Sequence, residues 1–216
     1  MKEKALYPFV ETFLQNHLSC FETRQRVGTM FVGIADVVGI RDIGGDMRGD
    51  IEVISVEIKL RSSNFGKIVG QALGYSLLAH RCYLAAKTTF TEEQKELAGR
   101  LGVGLLELHK KYNKWNCIQV QSSAPFEPHP HQFETMVRKG FGLARCAVCG
   151  IFSDVSNAST SWRSAVDNEK PLMEWRDPER KLMFSKRRLG DWRRVYYCKD
   201  CVQELWKGLA LEEDLQ

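Results

Sequence analysis

Apolar positions along the first 110 residues follow two alternating periods. From Lys4 to Leu18 they fall at Leu6, Phe9, Val10, Phe13 and Leu14, three and four apart, which predicts an amphipathic helix. Thr29 to Ile40, TMFVGIADVVGI, is β-rich. Ile51 to Leu60, IEVISVEIKL, is the clearest strand in the chain. Along it Ile54, Val56, Ile58 and Leu60 share one face and suit a core, while Val53, Ser55, Glu57 and Lys59 share the other. Asn64 to His80 predicts a helix and Arg81 to Ala86 a short apolar strand. Thr91 to Leu101 predicts a helix with Thr91 as N-cap and acids in its first turn. Val103 to Leu108 is another apolar strand. These elements predict an α/β fold with a mixed central sheet flanked by helices.

The pattern changes near residue 121. Residues 121–131, QSSAPFEPHPH, hold three prolines and two serines and no helical period, which reads as a linker or irregular connection. The expected organisation is a first domain over 1–121, a linker over 122–135 and a small C-terminal α+β module over 136–216. The final EEDLQ is an acidic tail expected to fray.

Between the two best strands lies RDIGGDMRGD, a loop with three glycines. Antiparallel pairing about its midpoint, between Asp46 and Met47, sets position 36 opposite position 57. Asp36 and Glu57 then meet across the ladder about 5 Å apart, with Lys59 on the same face. Two carboxylates offer hard oxygen ligands suited to Mg²⁺ or Mn²⁺. Such an ion lowers the pKa of a bound water and offsets charge on a scissile phosphate. Lys59 is placed to orient or deprotonate the water, or to stabilise the phosphate. The same three residues also read as a solvated cross-strand salt bridge. Asp46 and Asp50 read as turn residues. On the following helix Lys67, Gln71 and Tyr75 fall four apart and form a polar stripe, which is either a substrate-facing edge or an ordinary exposed face.

These residues resemble the PD-(D/E)XK nuclease superfamily. IADVVGI carries Asp36 at the first acid of the motif, and VEIKL carries Glu57 and Lys59 as its E-x-K. QALGY is similar to the Q-x-x-x-Y motif of the RecB-like branch, through Gln71 and Tyr75. The resemblance spans roughly residues 1–110, with Ala35 where the motif has proline. It implies a restriction-endonuclease-like fold and a Mg²⁺- or Mn²⁺-dependent deoxyribonuclease that leaves a 5′-phosphate. The implied catalytic residues are Asp36, Glu57, Lys59, Gln71 and Tyr75. Asp36 and Glu57 would hold the metal, with Glu11 of the first helix matching the acid that many members add.

The second part carries different chemistry. Cys146-Ala-Val-Cys149 is followed by Gly150, and Cys198-Lys-Asp-Cys201 opens a helical segment, VQELWKGLALEE. Two C-x-x-C pairs point to one tetrahedral Cys₄ zinc, structural because four protein ligands close the shell. A knuckle followed by a cysteine pair at a helix start resembles a treble-clef zinc finger, with its hairpin in residues 181–198. His129 and His131 read as solvated loop residues, with replacement of a cysteine ligand as the alternative. Residues 153–178 have no assignment. Cys20, Cys82 and Cys117 are isolated, and Cys82 reads as core. From Arg176 to Lys199 there are nine Lys or Arg against three acids. Lys186, Arg187, Arg188, Arg193 and Arg194 are interleaved there with Trp192, Tyr196 and Tyr197. With Lys67 they suit nucleic-acid binding, since basic groups neutralise phosphates and aromatics stack on bases. An ordinary solvated hairpin is the alternative.

Composition changes this picture little. The 216 residues carry a net charge of +4, 44% hydrophobic residues and seven cysteines. That is ordinary for a globular chain, permits a nucleic-acid partner without demanding one, and favours metal over disulfides where no export signal is seen. No apolar run reaches the roughly 18 residues of a membrane span, so no membrane partner is expected and the expected location is cytoplasmic. The reading is a DNA nuclease whose zinc module adds nucleic-acid binding. Its alternative is a non-catalytic DNA-binding or adaptor protein, the zinc module docking a protein partner. Cutting both strands of a duplex would be served by a homodimer.

Overall fold

The computed structural model describes residues 2–44, 50–112, 114–146 and 148–154, together with Cys201 and Glu204. The expected basic hairpin with Lys186, Arg187, Arg188, Arg193 and Arg194, the ligand Cys198, the loop residue Asp46 and most of 153–178 lie outside the described residues. The chain divides into two compact units, Met1–Gly45 with Ile51–Met136, and Asp46–Asp50 with Val137–Gln216.

The first unit is built on a mixed six-stranded sheet. Its strands are β1 (Glu22–Thr29), β2 (Gly33–Asp42), β3 (Ile51–Lys59), β4 (Arg81–Ala86), β5 (Gly104–Lys111) and β6 (Lys114–Gln121). They lie in the sheet in chain order. β1, β2 and β3 pair antiparallel, β3, β4 and β5 pair parallel, and β6 returns antiparallel to β5. The helices are α1 (Tyr7–His17), α2 (Phe65–Gly74) and α3 (Glu92–Arg100). α2 and α3 are the crossovers that parallel pairing requires.

The expected first helix is a 3-10 turn, Glu3–Leu6, running into α1. The β-rich stretch 29–40 is broken, because Met30, Phe31 and Val32 form the turn that separates β1 from β2. The expected helix 64–80 ends at Gly74 and continues as a 3-10 turn, Tyr75–Leu77. α3 starts as expected. Thr91 accepts from the Gln94 N–H while Gln94 accepts from the Thr91 N–H, a reciprocal cap.

Both faces of the sheet are covered. Leu6, Val10, Phe13 and Leu14 pack on Val37, Ile54, Val56, Ile58, Tyr83 and Leu106. Phe65, Ile68, Val69 and Ala72 of α2 and Ala98 of α3 pack on Leu84, Ala86 and Leu105. β3 is therefore buried on both sides from Ile51 to Ile58. The expectation of one core face and one polar face fails here. Val53, Ser55 and Glu57 face the layer that the crossover helices supply.

Residues 122–129 are irregular, yet they are tied down. Ser123 is buried; its Oγ accepts from the Cys82 N–H, and its carbonyl accepts from Arg81. The N–H groups of Ala124, Phe126 and His129 reach the carbonyls of Gly102, His80 and Leu77. α4 (Pro130–Phe141) follows, and the division between units falls inside it after Met136. No described helix is long and apolar enough to cross a membrane.

One buried charge group lies at the start of β3. Glu52 is 6% exposed. Its carboxylate accepts from Arg41 at 2.5 Å and from Arg81 at 2.8 Å. Glu52→Ala leaves two guanidinium groups without their counterion and should cost about 3–5 kcal/mol, read by urea denaturation. A loss below about 1 kcal/mol would mean that water replaces the carboxylate.

Candidate active site

The ladder between β2 and β3 runs from Asp42↔Ile51 to Val37↔Val56 and stops there. Beyond that pair β2 stays with β1 through Ala35↔Val27 and Ile34↔Gly28. β3 stays with β4 through Glu57↔Leu84, Ile58↔Ala85 and Lys59↔Ala86. The two strands fork, and Asp36 and Glu57 are the first residues past the last pair. Residue numbers of partners sum to 93, the register expected from the loop midpoint.

Forking leaves backbone groups without ladder partners, and side chains take them. The Ile58 N–H donates to Asp36 Oδ2 at 2.9 Å. The other Asp36 oxygen accepts a short hydrogen bond from the Tyr7 hydroxyl. The Tyr75 hydroxyl lies 2.9 Å from both the Ile34 carbonyl oxygen and Glu57 Oε2, and its one proton serves one of them at a time. Gln71 hydrogen-bonds to Tyr75 in turn. Glu57 Oε1 accepts from Lys59 Nζ at 2.6 Å.

Burial governs the electrostatics. Glu57 is 2% exposed. Loss of water raises its pKa above the ordinary carboxyl value, and the Asp36 charge adds to this. Lys59 and Tyr75 pull the other way without cancelling it. At Lys59 burial favours the neutral amine, but the hydrogen bond and charge of Glu57, with Glu3 and Asp36, outweigh it and raise the pKa. Burial also raises the phenols of Tyr7 and Tyr75, helped by Asp36 at Tyr7 and by Glu57 at Tyr75. Two carboxylates against one ammonium leave a net charge of −1 where β2 and β3 part. Each of the four carboxylate oxygens lies against one donor, the Tyr75 hydroxyl being shared with the Ile34 carbonyl, and keeps a further lone pair, so this donor set fits a hard divalent cation.

The expected residues are brought together unequally. Asp36, Glu57, Lys59, Gln71 and Tyr75 form one connected group. Glu11 does not join it: its carboxylate accepts from Gln25 of β1 at 2.7 Å on the exposed side. The first-segment acid felt at the site is Glu3, whose charge acts on Tyr7 and Lys59. Lys67 is exposed on α2. Tyr7 is the residue that the sequence did not single out, since a tyrosine at a buried helical position reads as core. Burial pushes the thiols of Cys20, Cys82 and Cys117 up to about 12, so none is an activated nucleophile.

The second unit holds a separate group. Cys146, Cys149 and Cys201 place their sulfurs within 4.8 Å of one another. Tetrahedral zinc with bonds near 2.3 Å sets sulfurs about 3.8 Å apart, so the spacing suits it. The backbone around Cys146 is shaped as a knuckle. The Val148 N–H points at Cys146 Sγ at 3.4 Å, the Gly150 N–H bonds to the Cys146 carbonyl, and Gly150 sits at φ 78°. β7 (Leu143–Arg145) and β8 (Phe152–Asp154) pair antiparallel around it. His129 and His131 are not members of this group. Asp50 contacts Arg145 at 3.5 Å, as a turn residue.

In comparisons with known proteins, no family model matches the chain, and neither a curated protein nor a solved structure matches it.

Tyr75→Phe tests how the site is held. It removes the partner of the Ile34 carbonyl and should cost about 1–3 kcal/mol. The lost hydroxyl was lowering the Glu57 pKa, so that pKa rises further. Protons compete with a cation for this carboxylate, so the pH midpoint of Mn²⁺ binding, read by titration calorimetry, should move upward. Unchanged stability with an unchanged midpoint would remove Tyr75 from the site.

Proposed function

We propose that the first unit is a metal-dependent DNA nuclease of the PD-(D/E)XK type, on a restriction-endonuclease-like fold, acting in the cytoplasm. One observation carries this reading. The residues of the D…E-x-K motif, far apart in sequence, meet where β2 and β3 fork, with one negative charge left uncompensated.

Asp36 and Glu57 would supply oxygen ligands to a Mg²⁺ or Mn²⁺ ion. Such an ion supplies Lewis acidity and lowers the pKa of water. The remaining work falls to the chain. Tyr7 and the Ile58 N–H hold Asp36 in one orientation. Tyr75, backed by Gln71, holds Glu57. Lys59 presents an ammonium beside the carboxylates, placed to orient the attacking water and to stabilise negative charge on the phosphate. In the hydrolysis that follows, water oxygen bonds to phosphorus, the P–O bond to the leaving sugar breaks, and a proton passes to that oxygen.

We assign the cysteine group of the second unit to one structural Zn²⁺, held by Cys146, Cys149, Cys201 and Cys198. The proximity of three of these sulfurs supports it. The basic residues Lys186, Arg187, Arg188, Arg193 and Arg194, with Lys67, would add DNA contacts.

The nuclease reading is tested by cleavage of linear, circular, single-stranded and branched DNA with Mg²⁺ or Mn²⁺. Wild type should cut at least one of these. Lys59→Ala should lose about 10²–10⁴-fold in rate. Equal rates for the two would remove Lys59 from the mechanism. DNA bound but cut by neither would favour the adaptor reading. Elemental analysis of the purified chain should find about one zinc, lost in Cys146→Ser and Cys149→Ser. Full zinc content in both variants would overturn the Cys₄ assignment.

A further inference from the structure

The turn between β1 and β2 carries large apolar side chains in solvent. Met30 is fully exposed and Phe31 is 82% exposed. Hydrogen bonds and close backbone packing brace this turn. Thr29 Oγ1 donates to Gln132 Oε1 at 2.9 Å and accepts from the Val32 N–H at 3.3 Å. The strands close so tightly below it that a Cβ on Gly28 would lie 1.9 Å from the Gly33 carbonyl oxygen. Gly33 itself takes φ 111°, which only glycine adopts freely.

The same hairpin is joined to the candidate site. The Ile34 carbonyl shares the Tyr75 hydroxyl with Glu57. Exposed Ile34 continues the apolar line from Phe31 towards Asp36. Phe31 and Asp36 are five residues apart, at most about 17 Å along extended chain. That is about the rise of five stacked nucleotides. Across the hairpin, Gln25 pairs with Val37 and Val27 with Ala35. Arg26 therefore stands opposite Asp36, outside the ladder, at φ 57°. This is a strained conformation for a residue with a Cβ. Arg26 is exposed, and no hydrogen bond or ion pair among the described residues holds its guanidinium.

We propose that the β1–β2 hairpin is a wedge for unpaired DNA. Phe31 and Met30 pack against bases a few nucleotides from the phosphate at the cation site proposed for Asp36 and Glu57, and Arg26 takes a phosphate between them. The inference rests on the nuclease reading and narrows its substrate class. Unpaired bases offer their faces to an aromatic side chain without regard to sequence. Bases in an intact duplex must first be unstacked. Single strands, frayed ends and branch points are therefore preferred over continuous duplex.

The test uses the full chain with a single strand and a blunt duplex of equal length, each carrying 2-aminopurine. Binding is measured in EDTA and cleavage with Mn²⁺. Wild type should bind the single strand about tenfold or more tighter than the duplex, with a change in 2-aminopurine fluorescence. In the Met30→Ser, Phe31→Ser double variant the preference should shrink to within about threefold and the fluorescence change should be lost. Both side chains lie in solvent, so the melting temperature should hold. Arg26→Ala should weaken both complexes and reduce the salt slope by about one. A double variant that keeps the preference and the fluorescence change overturns the wedge. If wild type cleaves DNA in that case, the nuclease reading stands alone. Loss of the preference in the variant, with no cleavage by wild type, sinks the nuclease reading and keeps the wedge. No DNA binding by wild type in EDTA overturns the wedge, and if cleavage with Mn²⁺ is absent as well the nuclease reading falls with it.

Discussion

The parting of β2 from β3 after Val37↔Val56 is the constraint on which the candidate site depends. A ladder that stops inside a sheet exposes donors and acceptors that must be met, because a buried unpaired backbone group costs about as much as a lost hydrogen bond. Here the donor of Ile58 is met by Asp36 and the acceptor of Ile34 by Tyr75. The side chains with candidate chemistry are thus also the ones that make the fork tolerable. Asp36 holds its position because a backbone N–H holds it. Tyr75 sits at the 3-10 turn that ends α2, so the helix end is tied to the strand it crosses. The hairpin beyond the fork inherits its placement from the same bonds.

Much of this was legible in the sequence, for local reasons. The alternation from Ile54 to Leu60 in IEVISVEIKL, and a loop whose midpoint could be found, were enough to set the register. A strand period of two then placed Glu57 and Lys59 on one face. What was not legible depends on tertiary context. β1, ETRQRVGT, has one buried residue, Val27. An edge strand with so little apolar content carries no period, so the stretch 29–40 looked like the start of the sheet. β6 carries no clear period either, and none of its described side chains is buried. Burial of both faces of β3 needs two crossover helices on one side, which no window of the strand reveals. Glu11 and Glu3 sit on the same short helical segment. Which of them acts on the site depends on where Gln25 lies on β1.

The cysteine group shows the opposite balance. Cys146 and Cys149 are three residues apart with a left-handed glycine after them, so their proximity is fixed by a turn of a few residues. Their meeting with Cys201 is a long-range fact. The sequence pointed to it because a metal held by thiolates needs more ligands than one C-x-x-C pair supplies. Chemistry supplied what periodicity could not.

β3 carries two buried glutamates, and the difference between them bears on function. Glu52 meets Arg41 and Arg81, two permanent cations for one carboxylate, so that end of the strand is in positive surplus. Glu57 shares one ammonium with Asp36 and leans on a neutral hydroxyl for the rest. Burying a charge without full compensation is unfavourable, and the raised Glu57 pKa records that cost. A structural ion pair is expected to minimise such a cost, as the Glu52 group does. A site that must accept a divalent cation has to keep it, because full compensation by side chains would leave no field to attract the ion. The contrast within one strand separates a charge cluster that completes the fold from one that, under the nuclease proposal, would await a cation.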